Sequence, residues 1–407
     1  MTADAIILDG DQRSALAVTR SLGRKGIAVA VGAAADHSLA SRSRYCVNAF
    51  RYPSPYDEPD LFIEDLRTRV EDWRGAVLIP MTDVTLSEIL LRRTDFGSGI
   101  RIPFDEYEKY MLLSDKTSLF CLSRELGVPS PRTLISTDHK DNAIPPDTVK
   151  NIGFPLVVKT ALSNFRTKKG WTRGGVWYVK DETELRAVLS KEVIVRFPYV
   201  IQERIQGPGA GVFLLLDRGT VLASFSHLRI REKPPSGGVS VLCESIEPSQ
   251  VAMESAVKLL GGEYWSGVAM VEFKIDERDG APKLMEVNAR FWGSLQLAVS
   301  SGIDFPYLFY KWARGESFAI MPEYRVGVKS RWELGDLDHL YSRLMKTASR
   351  LSLPPVHPSR FSVLRNFISD FFRPSVKNEV LQWNDPGPFL HEVGQYLRSV
   401  ANSITRQ

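Results

Sequence analysis

The beginning of the chain alternates short apolar runs with amphipathic segments. The run AIIL at 5–8 predicts a buried strand, QRSALAVTRSLGRKG at 12–26 predicts a helix, and IAVAVGA at 27–33 predicts a second strand. The stretch at 76–93 repeats the order of strand, turn and helix. This alternation is typical of an α/β domain with a parallel sheet, and the lack of a GxGxxG at the first turn argues against a dinucleotide site.

Two apolar-rich runs near residue 280 predict a β-hairpin. VEFKID at 271–276 and LMEVNAR at 284–290 are joined by a turn-forming segment rich in Asp and Gly. Because side chains alternate between the faces of a strand, Glu286 and Asn288 should point one way and Met285 the other, towards the core. The hairpin would also bring Glu272 beside Glu286.

Glu272, Glu286 and Asn288 are therefore candidate ligands for a metal ion. Mg²⁺ typically takes one or two protein carboxylates and completes its coordination with water and substrate phosphates. Arg290 on the same face would stabilise charge on a phosphate. The alternative is a surface hairpin with a solvated charged face, since a bare E-x-N motif is weak.

Two lysines and one strand are further candidates. Lys116 lies in the first turn of a predicted amphipathic helix with Ser114 as its N-cap, and helix starts attract anions. Lys159 ends the apolar strand PLVVK, where a charge needs a partner such as a phosphate. Each could instead be a solvated or snorkelling lysine. The segment of Gln202, Glu203, Arg204 and Ile205 could offer backbone groups to an adenine, or form an edge strand.

A second predicted hairpin, at 224–245, is the candidate for substrate chemistry. His227, Arg229 and Arg231 should alternate onto one strand face, and the turn PPSGG follows. A basic face beside a metal could hold a carboxylate and a transferring phosphoryl group. The alternatives are an exposed edge strand that uses charge against aggregation and a structural histidine.

Composition narrows the class of protein. The chain has 407 residues, is 43% hydrophobic and has a formal net charge of +4, which suits two or three domains and is too weakly basic to suggest nucleic-acid binding. Its three cysteines lack CxxC spacing and suggest reduced thiols in the cytoplasm. The beginning of the chain resembles neither a signal peptide nor a transmembrane span.

In order and spacing these motifs resemble the ATP-grasp superfamily of carboxylate-amine ligases, which includes biotin carboxylase, carbamoyl phosphate synthetase and D-alanine–D-alanine ligase. The resemblance implies an α/β fold, α+β in part: a Rossmann-like pre-ATP-grasp domain at 1–112, an ATP-grasp domain at 113–320 with a lid at about 150–205, and a mostly helical extension at 321–407. It implies ATP and Mg²⁺ as cofactors, with Mn²⁺ as a substitute.

The resemblance also implies a reaction and site roles. A carboxylate attacks the γ-phosphorus of ATP, and an amine then displaces phosphate from the acylphosphate. Lys116, Lys159 and the segment 202–205 would bind the nucleotide, and Arg290 with the 227–231 strand would act in catalysis. The same site could instead support phosphoryl transfer to a stable product or non-catalytic nucleotide binding, and the sequence names neither the acid nor the amine.

The sequence departs from the family pattern in two places. A basic loop at 164–175, with Arg166, Lys168, Lys169 and Arg173, stands where the family has a glycine-rich phosphate flap. Ala210 stands where the family often has a glutamate for the ribose hydroxyls. The loop would either replace the glycine cradle with side-chain charge or be a solvated basic loop.

Two segments remain open between alternatives. Thr82 and Asp83, at the C-terminal end of a predicted strand, could contact the acceptor substrate or cap a helix. The apolar face of a helix at 361–372, beside several arginines, could lie on a membrane surface, or pack on the body of the chain or on a second subunit in a homodimer.

Overall fold

The computed structural model describes residues 2–136, 146–261, 265–353 and 357–404. The predicted strand, helix and strand at the start of the chain are confirmed. Four parallel strands form a sheet in the order β3-β2-β1-β4. The elements of this part are β1 (Ala5–Ile7), α1 (Arg13–Arg24), β2 (Val29–Ala33), β3 (Cys46–Arg51), α2 (Pro59–Val70), β4 (Val77–Ile79) and α3 (Asp83–Leu91).

Two consecutive helices lead from this sheet towards the rest of the chain. They are α4 (Tyr107–Ser114) and α5 (Lys116–Glu125). The predicted N-cap is wrong: Ser114 is the last residue of α4, and the Asp115 side chain accepts from the backbone N–H groups of Thr117 and Ser118. Lys116 nevertheless lies in the first turn of α5, as predicted.

A second sheet has the order β5-β10-β6-β9 and its own apolar core. The edge-strand alternative for 202–205 is wrong, because Gln202 and Glu203 end β10, which pairs with β5 on one side and β6 on the other, and Arg204 and Ile205 follow the strand. The basic loop forms a separate hairpin of two strands. The elements are β5 (Thr133–Ser136), β6 (Leu156–Thr160), β7 (Asn164–Thr167), β8 (Gly170–Arg173), β9 (Val176–Val179), α6 (Glu182–Leu189), α7 (Glu192–Arg196) and β10 (Tyr199–Glu203).

The largest sheet has the order β15-β14-β11-β12-β13-β16-β17. Both predicted hairpins lie in it, as β12 with β13 and as β14 with β15. Its elements are β11 (Gly209–Asp217), β12 (Thr220–Lys233), β13 (Val239–Ser245), α8 (Gln250–Leu260), β14 (Gly267–Ile275), β15 (Pro282–Asn288), α9 (Leu295–Ser301), α10 (Phe305–Ala313), β16 (Lys329–Arg331), α11 (Glu333–Met345), α12 (Arg360–Ser369), β17 (Val376–Asn378) and α13 (Gly387–Ile404).

The last part of the chain is tied to the first. Strands β16 and β17 extend the large sheet, so this part is not purely helical. The buried carboxylate of Asp385 accepts from Arg20 Nε at 2.8 Å and from Ser43 Oγ at 2.7 Å. Glu379 pairs with Arg13. The division of the chain into three domains at 112 and 320 stays a prediction.

The apolar face predicted at 361–372 is mostly exposed in the single chain. Phe361 is 74% exposed and Phe372 is 80% exposed, so packing on the chain's own body is wrong for these two rings. Phe367 and Phe371 do contact the chain, through the Arg331 guanidinium, which lies 4.3 and 4.0 Å from the two ring centres. Contact with a membrane surface or a second subunit stays a prediction.

Candidate active site

Strands β14 and β15 bring the predicted oxygen donors together. Glu272 lies directly opposite Glu286 in the antiparallel register, and Asn288 Nδ2 donates to Glu286 Oε1 at 3.1 Å. Both glutamates and Asn288 line a cleft of ≈ 790 Å³. The three side chains therefore share one face of the hairpin and open into one cavity.

Two cations, the buried Lys116 and the half-buried Lys159, face this group of oxygens. Lys116 Nζ lies 3.7 Å from Glu286 Oε2, and the start of α5 is held in place by the Lys116 N–H donating to the Ala161 carbonyl at 2.9 Å. Burial and the charge of Lys116 lower the pKa of Lys159 to about 8. Burial raises the pKa of Glu286, but Lys116 and Lys159 outweigh it and hold that pKa below its ordinary value. Glu286 is therefore an anion at neutral pH.

Arg229 is a further cation of the cleft. Its guanidinium donates to both carboxylate oxygens of Glu272, at 2.8 and 2.5 Å, and to Glu232 at 3.0 Å. The pKa of Glu272 is raised, because its burial outweighs the attraction of Arg229 and the nearby Glu286 adds repulsion. The structure thus places Arg229 beside the metal candidates, as the sequence suggested.

The expected common face of three basic residues is wrong for Arg231, whereas His227 keeps regular alternation with Arg229 but does not line the cleft. Register shifts on either side of Arg231 in β12 rotate it out of alternation with Arg229. Arg231 donates to Asp336 at 2.7 and 2.8 Å and pairs with Asp370. His227 is fully buried against the Phe213 ring, and burial followed by the charge of Arg229 lowers its pKa well below the ordinary value. Neither is among the described residues that line the cleft.

Arg290 connects the hairpin to the N-terminal part of the chain. Its guanidinium makes two parallel bonds to Asp83, at 2.8 and 2.9 Å, and also donates to Asn288 Oδ1 at 3.1 Å. Tyr110 donates to the same Asp83 carboxylate at 3.2 Å. Thr82 accepts from the Thr85 N–H, which confirms that it is an N-cap. Asp83 therefore orients Arg290 beside the oxygen group.

The segment 202–205 lines a neighbouring cavity of ≈ 200 Å³, which also contains Lys159 and Tyr178. Its side chains are largely committed to protein contacts. Gln202 donates to Thr133 Oγ1 at 2.9 Å, and Glu203 accepts from Arg132 and Arg278. The guanidinium of Arg204 lies 4.7 Å from the centre of the Tyr178 ring. The backbone N–H groups of Glu203 and Arg204 also donate within the protein, to the carbonyls of Arg132 and Pro155.

Several cleft residues escaped the sequence analysis. A register shift beside Glu272 turns Met285 into both cavities, so its predicted place on the core side of β15 is wrong. Lys274 and Tyr178 also line both cavities. Simple alternation could not reveal Met285, because the bulge breaks the alternation. Ala210, at the expected ribose position, is buried in β11.

The oxygen donors fit a divalent cation that is shared with phosphate. Two carboxylates and one amide oxygen would leave coordination positions of the cation free for water and phosphate. Mg²⁺ is commonly bound in proteins in this way. Among the described residues, no group of three or more His, Cys, Asp or Glu side chains could hold a metal by itself. The site therefore suits a cation that arrives with a ligand better than an all-protein metal cage.

Comparisons with known proteins agree with this architecture. Residues 197–334 match a family model described as "ATP-grasp in the biosynthetic pathway with Ter operon". The chain is 21% identical over 317 residues to a D-aspartate ligase of Enterococcus faecium, an alignment that covers 73% of this chain and 74% of the relative. No helix in the described ranges is long and apolar enough to cross a membrane.

Solved structures show the same fold. The biotin carboxylase domain of Hydrogenobacter thermophilus 2-oxoglutarate carboxylase, in complex with MgADP, ADP and bicarbonate, aligns with a TM-score of 0.63 and 17% identity over 81% of this chain and 74% of its own. An L-amino acid ligase from Bacillus licheniformis aligns with a TM-score of 0.57 and 18% identity over 77% of this chain and 75% of its own.

Proposed function

We propose that the chain is an ATP-grasp enzyme, and specifically an ATP-dependent ligase that activates a carboxylate as an acylphosphate and joins it to an amine, with release of ADP and phosphate. One observation carries the proposal: the Glu272–Glu286 pair and Asn288 face Lys116 and Lys159 across a single cleft. This arrangement of anions and cations suits a triphosphate with its cation.

Each cleft residue has a proposed task. Lys116 and Lys159 bind phosphate oxygens, and Arg290, held by Asp83, neutralises charge that develops on the transferring phosphoryl group. Glu272, Glu286 and Asn288 would hold Mg²⁺, for which Mn²⁺ would substitute; when bound, it supplies positive charge to the β- and γ-phosphates. Backbone groups of 202–205 would contact adenine. We assign His227 and Arg231 no catalytic role.

The reaction follows from these positions. The acceptor carboxylate attacks the γ-phosphorus, the bond between that phosphorus and the β–γ bridging oxygen breaks, and ADP leaves. The amine then attacks the acyl carbon and phosphate leaves with the former carboxylate oxygen. Arg229 and Arg290 are the guanidinium groups nearest the oxygen group, and they can attract the acceptor carboxylate to that end of the cleft.

The names of two relatives favour the ligase over the other ATP-dependent reactions. The similar proteins include a D-aspartate ligase and an L-amino acid ligase, both of which join amino acids by name. We propose amino acids or short peptides as the substrate class, cytoplasmic location and a homodimer as the working assembly. A kinase-like enzyme would instead leave a stable phosphorylated product, and a sensor would bind ATP without acceptor-dependent turnover.

The test is the substitution Glu286→Gln, with acceptor-dependent ADP release measured over a panel of amino acids and peptides. We expect turnover to fall on the order of 100-fold or more, because the change removes one charge from the cation-binding group. Glu254→Gln, on an exposed position of α8, is the matched control and should leave turnover unchanged. Near wild-type turnover in Glu286→Gln would show that the metal assignment is wrong.

A further inference from the structure

The basic hairpin of β7 and β8, here called the flap hairpin (residues 164–173), leaves the sheet β5-β10-β6-β9 and contacts the N-terminal part of the chain. It is inserted between β6, which carries Lys159, and β9. At its base, Gly174 approaches Thr160 so closely that a Cβ would lie 2.2 Å from Thr160 Oγ1. The hairpin therefore leaves the sheet at a tight, glycine-dependent corner.

The far end of the flap hairpin is fixed to one buried carboxylate. Glu88 of α3 is fully buried, and its Oε1 accepts from both Arg166 Nε and Trp171 Nε1 at 2.8 Å. Its other oxygen accepts from Arg92 at 2.9 Å. A buried carboxylate requires such partners, and bonds to a charged group are the stronger kind. We call this set of contacts the Glu88 latch.

Backbone contacts reinforce the latch. The Trp171 N–H donates to the Tyr56 carbonyl at 2.8 Å. Gly170 has a φ of +105°, and a Cβ there would lie 2.5 Å from that carbonyl oxygen. Glycine is therefore required at this position by the positive φ and by the close contact with Tyr56.

The latched hairpin covers a small chamber next to the phosphate-binding residues. This side cavity, of ≈ 70 Å³, is lined by Asn164, Arg166 and Trp171 of the hairpin and by Lys116, Glu286 and Asn288 of the cleft. Displacement of the hairpin would open this chamber to water. The contacts that hold the hairpin therefore close a chamber that borders Lys116, Glu286 and Asn288, to which we assign phosphate and cation binding.

We propose that Glu88 is a positioning residue that holds the flap hairpin closed over the phosphoryl-transfer chamber, which keeps water from competing with the acceptor for the γ-phosphate. The role is additional to the proposed ligase function and rests on it. Glu88 acts through Arg166 and Trp171 and touches no reacting atom itself. Exclusion of water by a closed lid is a general means of protecting reactive intermediates.

The test uses hairpin variants, which leave the buried Glu88 and the N-terminal sheet intact. Arg166→Met and Trp171→Phe each remove one donor to Glu88, and Arg173→Met, at an exposed position of the same hairpin, is the matched control. Two quantities are measured: the ratio of acceptor-independent to acceptor-dependent ADP release, and the rate of tryptic cleavage after Lys168 or Lys169, identified by mass spectrometry.

We expect both quantities to rise on the order of tenfold in Arg166→Met and Trp171→Phe, as the loss of one hydrogen bond to a charged group implies, and to stay unchanged in Arg173→Met. Unchanged cleavage, or faster cleavage with an unchanged ratio, would overturn the positioning role. If the wild-type protein releases no ADP with any acceptor, the ligase proposal fails, while the cleavage rates still support or overturn the latch.

Discussion

The depressed pKa of Lys159 makes the alkaline limb of the pH profile a sensitive probe of the site. Burial and Lys116 lower this pKa to about 8, so the ammonium form is lost as the pH rises through that value. If the charged lysine binds a phosphate, kcat/KM for ATP should fall above pH 8, because this parameter reports the ionisation of the free enzyme. At pH 9 about one-tenth of the lysines remain charged, so kcat/KM should fall about tenfold.

Lys159→Arg separates this explanation from other titrating groups. Arginine stays charged over the whole accessible range, so the variant should lose the break near pH 8, even if its absolute kcat/KM is lower. The assay is ADP release at limiting ATP between pH 6.5 and about 9.5, with the stability of each protein checked at both ends. A break near pH 8 that persists in Lys159→Arg would refute the assignment of the titrating group.

Three further substitutions test the remaining assignments. Asp83→Asn should lower kcat on the order of 100-fold with a smaller change in KM for ATP, because Arg290 loses its bidentate partner; equal changes in both would contradict an orienting role. Arg231→Met should reduce the free energy of unfolding by about 1–3 kcal/mol in chemical denaturation, because the buried Asp336 loses one of two arginine partners and keeps Arg331, while kcat of the folded fraction stays near wild type. His227→Asn should retain turnover within about tenfold in steady-state assays, and a loss comparable to that of Glu286→Gln would return His227 to the catalytic group.

The pattern of the sequence predicted the parts of the site that follow regular alternation. Glu286 and Asn288 share a face because β15 is regular between them, and Lys116 and Lys159 lie at the ends of elements whose apolar periodicity is clear. The failures coincide with irregular backbone. Register shifts moved Arg231 off the face of Arg229 and turned Met285 towards the cleft. The alternation of apolar and polar residues in the sequence does not reveal the extra residue of a bulge.

Contacts between distant segments were beyond the sequence for a different reason. Glu88 lies in the helix predicted within 76–93, and nothing near it in the chain indicates that Arg166 and Trp171 would reach it. The same holds for Asp83 and Arg290, which are both visible as candidates but not as a pair. Such pairing depends on how whole sheets are arranged, and local periodicity does not encode that arrangement.

The hydrogen bonds from Arg20 and Ser43 to Asp385 have a consequence for folding during synthesis of the chain. Arg20 is completely enclosed in the finished molecule, and its carboxylate partner lies 365 residues further along the chain. Until residue 385 has been made, the N-terminal sheet must therefore carry a guanidinium without that counter-charge. A chain that stops short of residue 385 would release an N-terminal region with an unneutralised charge in its interior.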